Sequence, residues 1–139
     1  MKTNRILITL IVLITLISAC SPAEEVAVAE PVLTVGSTSY TQSELEAFET
    51  TTVDYTNKDG ETTAYTGVSL SALLENAGLT GSGTLVFTAA DDYQADMDLE
   101  EALACDTCIV AFDGDILRMV MPDMSGKLQV KDVVEISLE

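Results

Sequence analysis

The stretch from Tyr65 to Gly78 constrains the fold of this 139-residue chain most strongly, because it predicts a strand that leads into a capped helix. Ser69 stands at the N-cap position, where its side-chain oxygen would accept a hydrogen bond from an amide of the first helical turn. Gly78 stands where a helix commonly ends in a left-handed residue. Between them, apolar residues recur at i, i+3, i+4 and i+7, which predicts one buried helical face. These residues are Leu70, Leu73, Leu74 and Ala77.

The other local patterns predict further short strands and two short helices. Capping boxes at 41–44 and 98–101 mark the starts of helices. Turn residues at 57–60 and at Asp113-Gly114 lie between β-type runs and predict two hairpins. A closing strand is predicted over 130–138. The fold class is therefore α+β, with a mixed β-sheet or partial barrel and a few short helices.

The N-terminal segment has the pattern of an export signal. A basic start precedes a mostly apolar run over 6–17, which is short for a membrane span and suits the core of a signal peptide. The run ends in Ile17-Ser18-Ala19-Cys20, which resembles a bacterial lipobox. Residues 1–19 are therefore predicted to be a lipoprotein signal peptide, and Cys20 is predicted to carry the lipid. An ordinary secretory signal or an uncleaved anchor is the alternative.

The residues that follow divide into a tether and a domain. Residues 20–31 combine prolines, small residues and glutamates, which is typical of a flexible linker that starts at the acylated cysteine. Residues 32–139 carry the strand and helix patterns and are predicted to form one domain. We therefore expect an extracytoplasmic protein that is anchored to a bacterial membrane through the lipid on Cys20.

The charge of the chain excludes several kinds of partner and chemistry. The formal net charge is −17, and only four of the six basic side chains lie beyond residue 19. Such an acidic protein repels nucleic acid, so no nucleic-acid partner is expected. The chain contains no histidine, which excludes Ser-His-Asp and Cys-His catalysis and metal sites with histidine ligands.

Cys105 and Cys108 form a Cys-x-x-Cys pair. Three interpretations are open: a structural disulfide, a redox-active pair and part of a metal site. A redox pair is favoured by a helix N-terminus, whereas this pair follows a predicted helix and contains Asp106, which opposes thiolate formation. The pattern therefore favours a structural disulfide in an oxidising compartment.

Gly126, Lys127 and Lys131 form a second candidate site. A Gly-Lys turn in an acidic protein could receive a small anion through backbone amides and the lysine ammonium group. The pattern is not a phosphate-binding P-loop, which requires two glycines at fixed spacing. A plain turn with two solvated lysines is the alternative interpretation.

A group of acidic residues forms a third candidate site. Clustered carboxylates could bind calcium, although the spacing does not fit an EF-hand loop. A solvated surface whose members also cap helices is the favoured interpretation. The group consists of Asp91, Asp92, Asp96, Asp98, Glu100 and Glu101.

Several of these segments, in their order along the chain, resemble one known family. Tyr-Thr-Gly-Val-Ser-Leu-Ser-Ala-Leu-Leu at 65–74 resembles a Trp/Tyr-x-Gly-Val-Pro-Leu-x-x-Leu-Leu motif, and Ala-Asp-Asp-Tyr at 90–93 resembles Ala-Asp-Gly-Tyr. Both motifs occur in the oxidoreductase molybdopterin-binding domain, which has the fold of sulfite oxidases. Further segments that match its pattern are 98–103, 112–117, 117–122, 126–127 and Lys131.

The resemblance implies a molybdenum cofactor whose phosphate rests on arginine, lysine and backbone groups. Lys127, Lys131 and Gly126 are the positions that correspond to such a site. The family also supplies a cysteine ligand to molybdenum from the segment before the Gly-Val-Pro-Leu motif. In this chain that segment is 52–64, and it contains no cysteine.

Two functional hypotheses follow from the sequence. The first is a non-catalytic binding or accessory module that uses no cofactor and binds a small anionic ligand or an envelope redox partner. The second is an oxidoreductase subunit, which either binds molybdopterin, as the resemblance allows, or exchanges thiols and disulfide through Cys105 and Cys108.

Overall fold

The computed structural model describes residues 29–139. The predicted signal peptide at 1–19 and the predicted lipid-bearing Cys20 lie outside these residues. Nine strands, three short α-helices and one 3₁₀ turn are present in the described part. The strands are β1 (Pro31–Val35), β2 (Thr38–Thr41), β3 (Thr50–Thr56), β4 (Thr62–Ser69), β5 (Thr84–Ala89), β6 (Gln94–Asp98), β7 (Ile109–Asp113), β8 (Ile116–Val120) and β9 (Val133–Leu138). The helices are α1 (Gln42–Glu46), α2 (Leu70–Asn76) and α3 (Leu99–Leu103), and the 3₁₀ turn is Gly126–Leu128.

The strands form two sheets. One has five strands in the order β2-β1-β9-β5-β6, and the other has four in the order β3-β4-β7-β8. The β1–β9 pair is parallel, and every other strand pair within the described sheets is antiparallel. The predicted α+β class with mixed sheet and short helices is therefore confirmed, and the strands form two sheets rather than a closed barrel.

Helix α2 buries the apolar face that the sequence predicted. Leu70, Leu73 and Leu74 have no exposed surface and belong to the main core. Burying a leucine side chain contributes about 1.5–3 kcal/mol, so this face anchors the helix. Gly78 follows the helix with a φ of +76°, as predicted for its C-terminal end.

The predicted capping bond of Ser69 is wrong. Ser69 occupies the N-cap position, but its hydroxyl lies 2.9 Å from the Ser71 hydroxyl and makes no capping bond. The amide of Leu70, the first residue of α2, donates to the carbonyl oxygen of Cys108, at 2.9 Å. This bond satisfies a different amide from those of Ser71 and Ala72, which a serine N-cap would serve.

Helix α1 has the predicted capping box. The Thr41 amide donates to the Glu44 carboxylate at 2.8 Å, and the Glu44 amide donates to the Thr41 hydroxyl at 3.3 Å. The backbone bond from Thr41 and the bond from its hydroxyl lower the pKa of Glu44, since both stabilise the charged form. At α3, the Asp98 carboxylate accepts from the Glu100 amide at 2.8 Å, which is the cap of that helix.

Both predicted hairpins are present. In the β3–β4 turn, the Asn57 side chain accepts from the amides of Asp59 and Glu61 at 2.9 and 3.0 Å. In the β7–β8 hairpin, Asp113 pairs with Ile116 across a two-residue loop. In this hairpin, pairing extends from Thr50 opposite Val68 to Thr56 opposite Thr62.

Candidate functional site

The predicted Gly126-Lys127 turn lies in the segment that connects β8 of the four-stranded sheet to β9 of the five-stranded sheet. Gly126 and Lys127 form the 3₁₀ turn, and the Lys127 side chain is exposed. The carbonyl oxygen of Lys127 accepts a hydrogen bond from the Tyr93 hydroxyl at 3.0 Å. This bond holds the turn against the segment that begins β6.

The loop around this turn is fixed by one glutamine. The Gln129 side chain accepts from the Met121 amide at 2.9 Å and donates to the Met121 carbonyl oxygen at 2.6 Å. An amide side chain that satisfies both backbone groups of one residue imitates a strand partner. The path of the chain from Gly126 to Lys131 is therefore set by the end of β8.

Lys131 lies directly opposite Arg118. The two residues form an isolated antiparallel bridge, and the Met119 amide donates to the Val130 carbonyl oxygen at 2.8 Å. Residues that face each other in an antiparallel pair point to the same side, with Cβ atoms about 5 Å apart. The structure thus places two cationic side chains side by side. The predicted strand over 130–138 begins only at Val133, because Asp132 has a φ of +58° and interrupts the ladder after this bridge.

Arg118 is held in place on the outer face of the four-stranded sheet. Its Nη1 donates to the Tyr65 hydroxyl at 2.8 Å and to the Asp113 carboxylate at 3.3 Å. The guanidinium group also lies over the Tyr65 ring, 5.4 Å from its centroid, in a cation–π contact. Asp113 is the carboxylate that forms a salt bridge with this arginine. Arg118 was not among the site residues predicted from the sequence, because its pairing with Lys131 depends on the strand register.

Cys105 and Cys108 lie at disulfide distance, with their Cα atoms 5.5 Å apart. This supports the predicted disulfide. Cys108 is fully buried in the main core, whereas Cys105 is partly exposed. The bridge joins the end of the α3 segment to the start of β7, beside the first amide of α2.

The acidic residues at 91–101 do not converge on a metal site. Within residues 29–139, no group of three or more Asp, Glu, Cys or His side chains is arranged to bind a metal ion. Asp91 instead accepts from the Tyr93 amide at 3.1 Å, and Asp98 caps α3. The favoured interpretation, a solvated surface with helix caps, agrees with these contacts.

A cavity of about 290 Å³ lies at the start of β3, where α2 and the disulfide loop meet the sheet. Its lining residues include two acidic residues and three that carry hydroxyl groups, and no basic residue is among them. The sequence carried no local signal for it, because its walls come from separate segments. The lining residues are Glu49, Thr50, Thr51, Ser69, Ala72 and Asp106.

No helix within residues 29–139 is long and apolar enough to cross a membrane.

Comparison with protein families identifies the class. A family model described as "Oxidoreductase molybdopterin binding domain" matches residues 25–139. The chain therefore belongs to the oxidoreductase molybdopterin-binding domain family, as the motifs at 65–74 and 90–93 suggested. A search of curated proteins gave no match.

A solved structure has a similar fold. The sulfane dehydrogenase SoxCD from Paracoccus pantotrophus superposes with a TM-score of 0.64 at 21% sequence identity. The match covers 78% of this chain and 37% of the SoxCD chain. The chain thus spans little more than a third of the length of that neighbour, and the likeness shows the shared fold.

The described residues offer only part of what a molybdenum cofactor requires. Arg118 and Lys131 could contact an anionic phosphate. In the β3–β4 hairpin, where the family resemblance places the molybdenum ligand, the residues at 52–64 include no cysteine. The sulfurs of Cys105 and Cys108 are paired with each other, so neither is a free thiolate. The donor set of the described residues therefore does not fit molybdenum.

Proposed function

We propose that this protein is an exported, lipid-anchored module of the molybdopterin-binding fold that binds a small anionic ligand and does not catalyse molybdenum chemistry. The observation that carries the proposal is the pairing of Arg118 with Lys131. Two of the four basic side chains beyond residue 19 lie side by side in a chain with a net charge of −17.

The energetics of this pair support an anion site. Like charges directly opposite each other in a sheet destabilise the pairing, and here only Asp113 forms a salt bridge to the arginine among the described residues. A bound anion would offset the repulsion between the two cations. Arg118 is already oriented by Tyr65 and Asp113, so little side-chain entropy is lost on binding. Lys127, four residues before Lys131, is an exposed cation that could add to the site.

The non-catalytic role is supported by the residues of the β3–β4 hairpin. The segment at 52–64 carries threonine, tyrosine, asparagine, lysine, valine, alanine and carboxylate side chains, and none of them is the soft thiolate ligand that the family resemblance leads us to expect for molybdenum. An oxidoreductase subunit would need a partner chain to supply that ligand.

The anchor and the location rest on residues 1–20. The lipobox-like end of the apolar run supports lipid attachment at Cys20, and the acidic tether supports a domain that is held away from the membrane surface. A disulfide between Cys105 and Cys108 agrees with an oxidising compartment outside the cytoplasm.

An inventory of metals and small molecules in natively purified protein tests the binding role. We expect less than stoichiometric molybdenum and no released pterin, and stoichiometric molybdenum would overturn the non-catalytic proposal. Titration with inorganic phosphate and phosphate esters tests the site itself. Arg118→Gln and Lys131→Gln should each weaken anion binding about tenfold, since each removes a charge-assisted contact.

Lys58→Gln is the matched control, because this lysine is exposed in the distant β3–β4 turn. If Lys58→Gln weakens binding as much as Lys131→Gln does, the response reflects total charge and the anion site is wrong. The anchor is tested separately. Cys20→Ser should move the protein from the membrane fraction to the soluble fraction, and its mass spectrum should lack the mass of the acyl groups.

A further inference from the structure

β3 forms an edge of the four-stranded sheet. It pairs with β4 along all seven residues of Thr50–Thr56, and no other described strand pairs with it. A strand of this length is about 23 Å long. Such an edge presents unpaired backbone N–H and C=O groups, which can pair with a further extended chain.

The other sheet edges among the described residues are shorter or covered. β2 has four residues, and β6 lies against the 3₁₀ turn. The β8 edge is joined to Lys131 through its bridge with Arg118. β3 has neither proline nor lysine, and its pairing with β4 shows no bulge. The features that usually protect an edge strand from pairing are thus absent from β3, apart from the single charge of Asp54.

The cavity at the start of β3 adds a chemical preference to this edge. Thr50 and Thr51 belong to both the edge strand and the cavity wall. Glu49 and Asp106 are the acidic residues of the lining, and Ser69 is its third hydroxyl-bearing residue beside the two threonines. A positively charged group that donates hydrogen bonds is complementary to this lining. The lysine ammonium and the arginine guanidinium are such groups.

We propose that β3 and this cavity together bind an extended basic segment of a partner protein. The segment adds to the sheet as a strand beside Thr50–Thr56 and places one lysine or arginine side chain in the cavity with Glu49 and Asp106. The backbone pairing supplies affinity and the cavity supplies selectivity, which is the usual division in strand addition. The net charge of −17 attracts such a segment over longer distances.

Charge favours this occupant over two others. Residues 20–28 of the chain itself include Glu24 and Glu25 and no basic residue. Binding of this segment would therefore place further carboxylates beside the acidic residues of the cavity. A second copy could bring Lys58 near the cavity. However, two chains of charge −17 repel each other.

A synthetic peptide tests the proposal with the full chain in mild detergent. The probe is a capped decapeptide of alternating threonine and valine with one lysine near an end. We expect measurable binding by fluorescence anisotropy and slower hydrogen exchange at β3 amides. The same peptide with glutamate in place of lysine should bind at least tenfold more weakly. A version that is N-methylated on alternate amides should lose binding, because it cannot complete the strand ladder.

Protein variants then test the cavity. The double change Glu49→Gln with Asp106→Asn should weaken binding of the lysine peptide about tenfold. It should not weaken binding of the glutamate peptide. The control is Asp115→Asn with Glu135→Gln, which removes the same charge from exposed positions on other elements. The control variant should bind as the parent does.

Several results would overturn the proposal. They are an absence of binding at millimolar peptide, equal affinity for lysine and glutamate peptides, and unchanged binding of the N-methylated peptide. Self-association that Lys58→Gln abolishes would identify a second copy as the occupant instead. Tighter peptide binding after deletion of residues 21–28 would identify the chain's own tether. None of these outcomes bears on the anion site at Arg118 and Lys131.

Discussion

The β3–β4 hairpin and the β7–β8 hairpin belong to one sheet, yet their residues meet very different surroundings. On β7, Ile109 and Ala111 are buried under one face, and Val110 is buried in the main core under the other. On β3, most residues are exposed, and Val53 and Tyr55 are only partly covered. A central strand packed on both faces fixes the sheet, whereas an outer strand with exposed faces is left available for contacts with other molecules.

The hydrogen bonds of the two hairpins follow the same division. Threonine hydroxyls pair across the exposed hairpin, Thr52 with Thr66 at 2.7 Å and Thr56 with Thr62 at 2.8 Å. In the buried hairpin, Arg118 of β8 is held by Tyr65 and Asp113. Solvated cross-strand pairs of the first kind contribute about 0.2–1 kcal/mol each, so the outer hairpin depends on the inner one for its stability.

A pair of truncations should show the largest contrast between the hairpins. Ile109→Ala removes a fully buried side chain and should lower the free energy of unfolding by about 3 kcal/mol, because it leaves a cavity. Val53→Ala, on partly exposed β3, should lower it by about 1 kcal/mol. Urea unfolding of both variants measures the difference. Equal losses would mean that β3 is as tightly packed as β7.

The junction between the hairpins should be the next most sensitive point. Gly67 of β4 pairs with Ala111 of β7, and a Cβ atom there would overlap the Val110 carbonyl oxygen and the Ala111 Cα. Gly67→Ala should therefore cost about 2–3 kcal/mol through forced backbone shifts. Gly126→Ala is the control, since a Cβ atom there meets open space. Thermal unfolding of the two variants should separate them clearly, and similar melting temperatures would contradict the close approach.

The disulfide at the start of β7 should have a smaller effect. Closing so short a loop restricts the unfolded chain only moderately, by about 2 kcal/mol in the loop-entropy description. The double change Cys105→Ala with Cys108→Ala should lose that amount in urea unfolding. The parent protein in excess dithiothreitol should behave like the variant. A reduced parent that is as stable as the oxidised one would show that the bridge has little structural role. A very negative reduction potential, in contrast, would mark a structural bridge.

The entry into β3 should show the smallest effect, and only at low pH. The pKa of Glu44 is lowered by its bonds with Thr41 in the folded state, so its contribution to stability is present above the unfolded pKa and is lost as pH falls through the folded value. Glu44→Gln should therefore flatten the loss of stability between about pH 5 and pH 3. Unfolding curves across that range provide the measurement, with Glu46→Gln as the neighbouring control. Identical pH profiles for Glu44→Gln and the parent would refute this role.

Local patterns predicted the elements well where neighbouring residues decide them. The Thr41–Glu44 box, the apolar face of α2, the left-handed Gly78 and both hairpin turns all depend on residues a few positions apart. The family resemblance likewise came from short motifs in order, and the family comparison confirmed it. The predicted strand over 130–138 was too long at its start, because the positive φ of Asp132 leaves no strong signature in that sequence.

The tertiary structure alone decided which distant residues meet. Lys131 could be singled out as a cation in the sequence, but its neighbour Arg118 follows from the strand register, which packing determines. The bond from the Leu70 amide to the Cys108 carbonyl oxygen likewise joins segments that lie far apart in the sequence. Glu49 and Asp106 share a cavity only because the disulfide loop and the start of β3 pack together. The sequence by itself thus determined the elements, their caps and the family, since short-range sterics and hydrogen bonds act within a few residues. The candidate binding surfaces required the folded chain, because burial and strand pairing join segments that the sequence keeps apart.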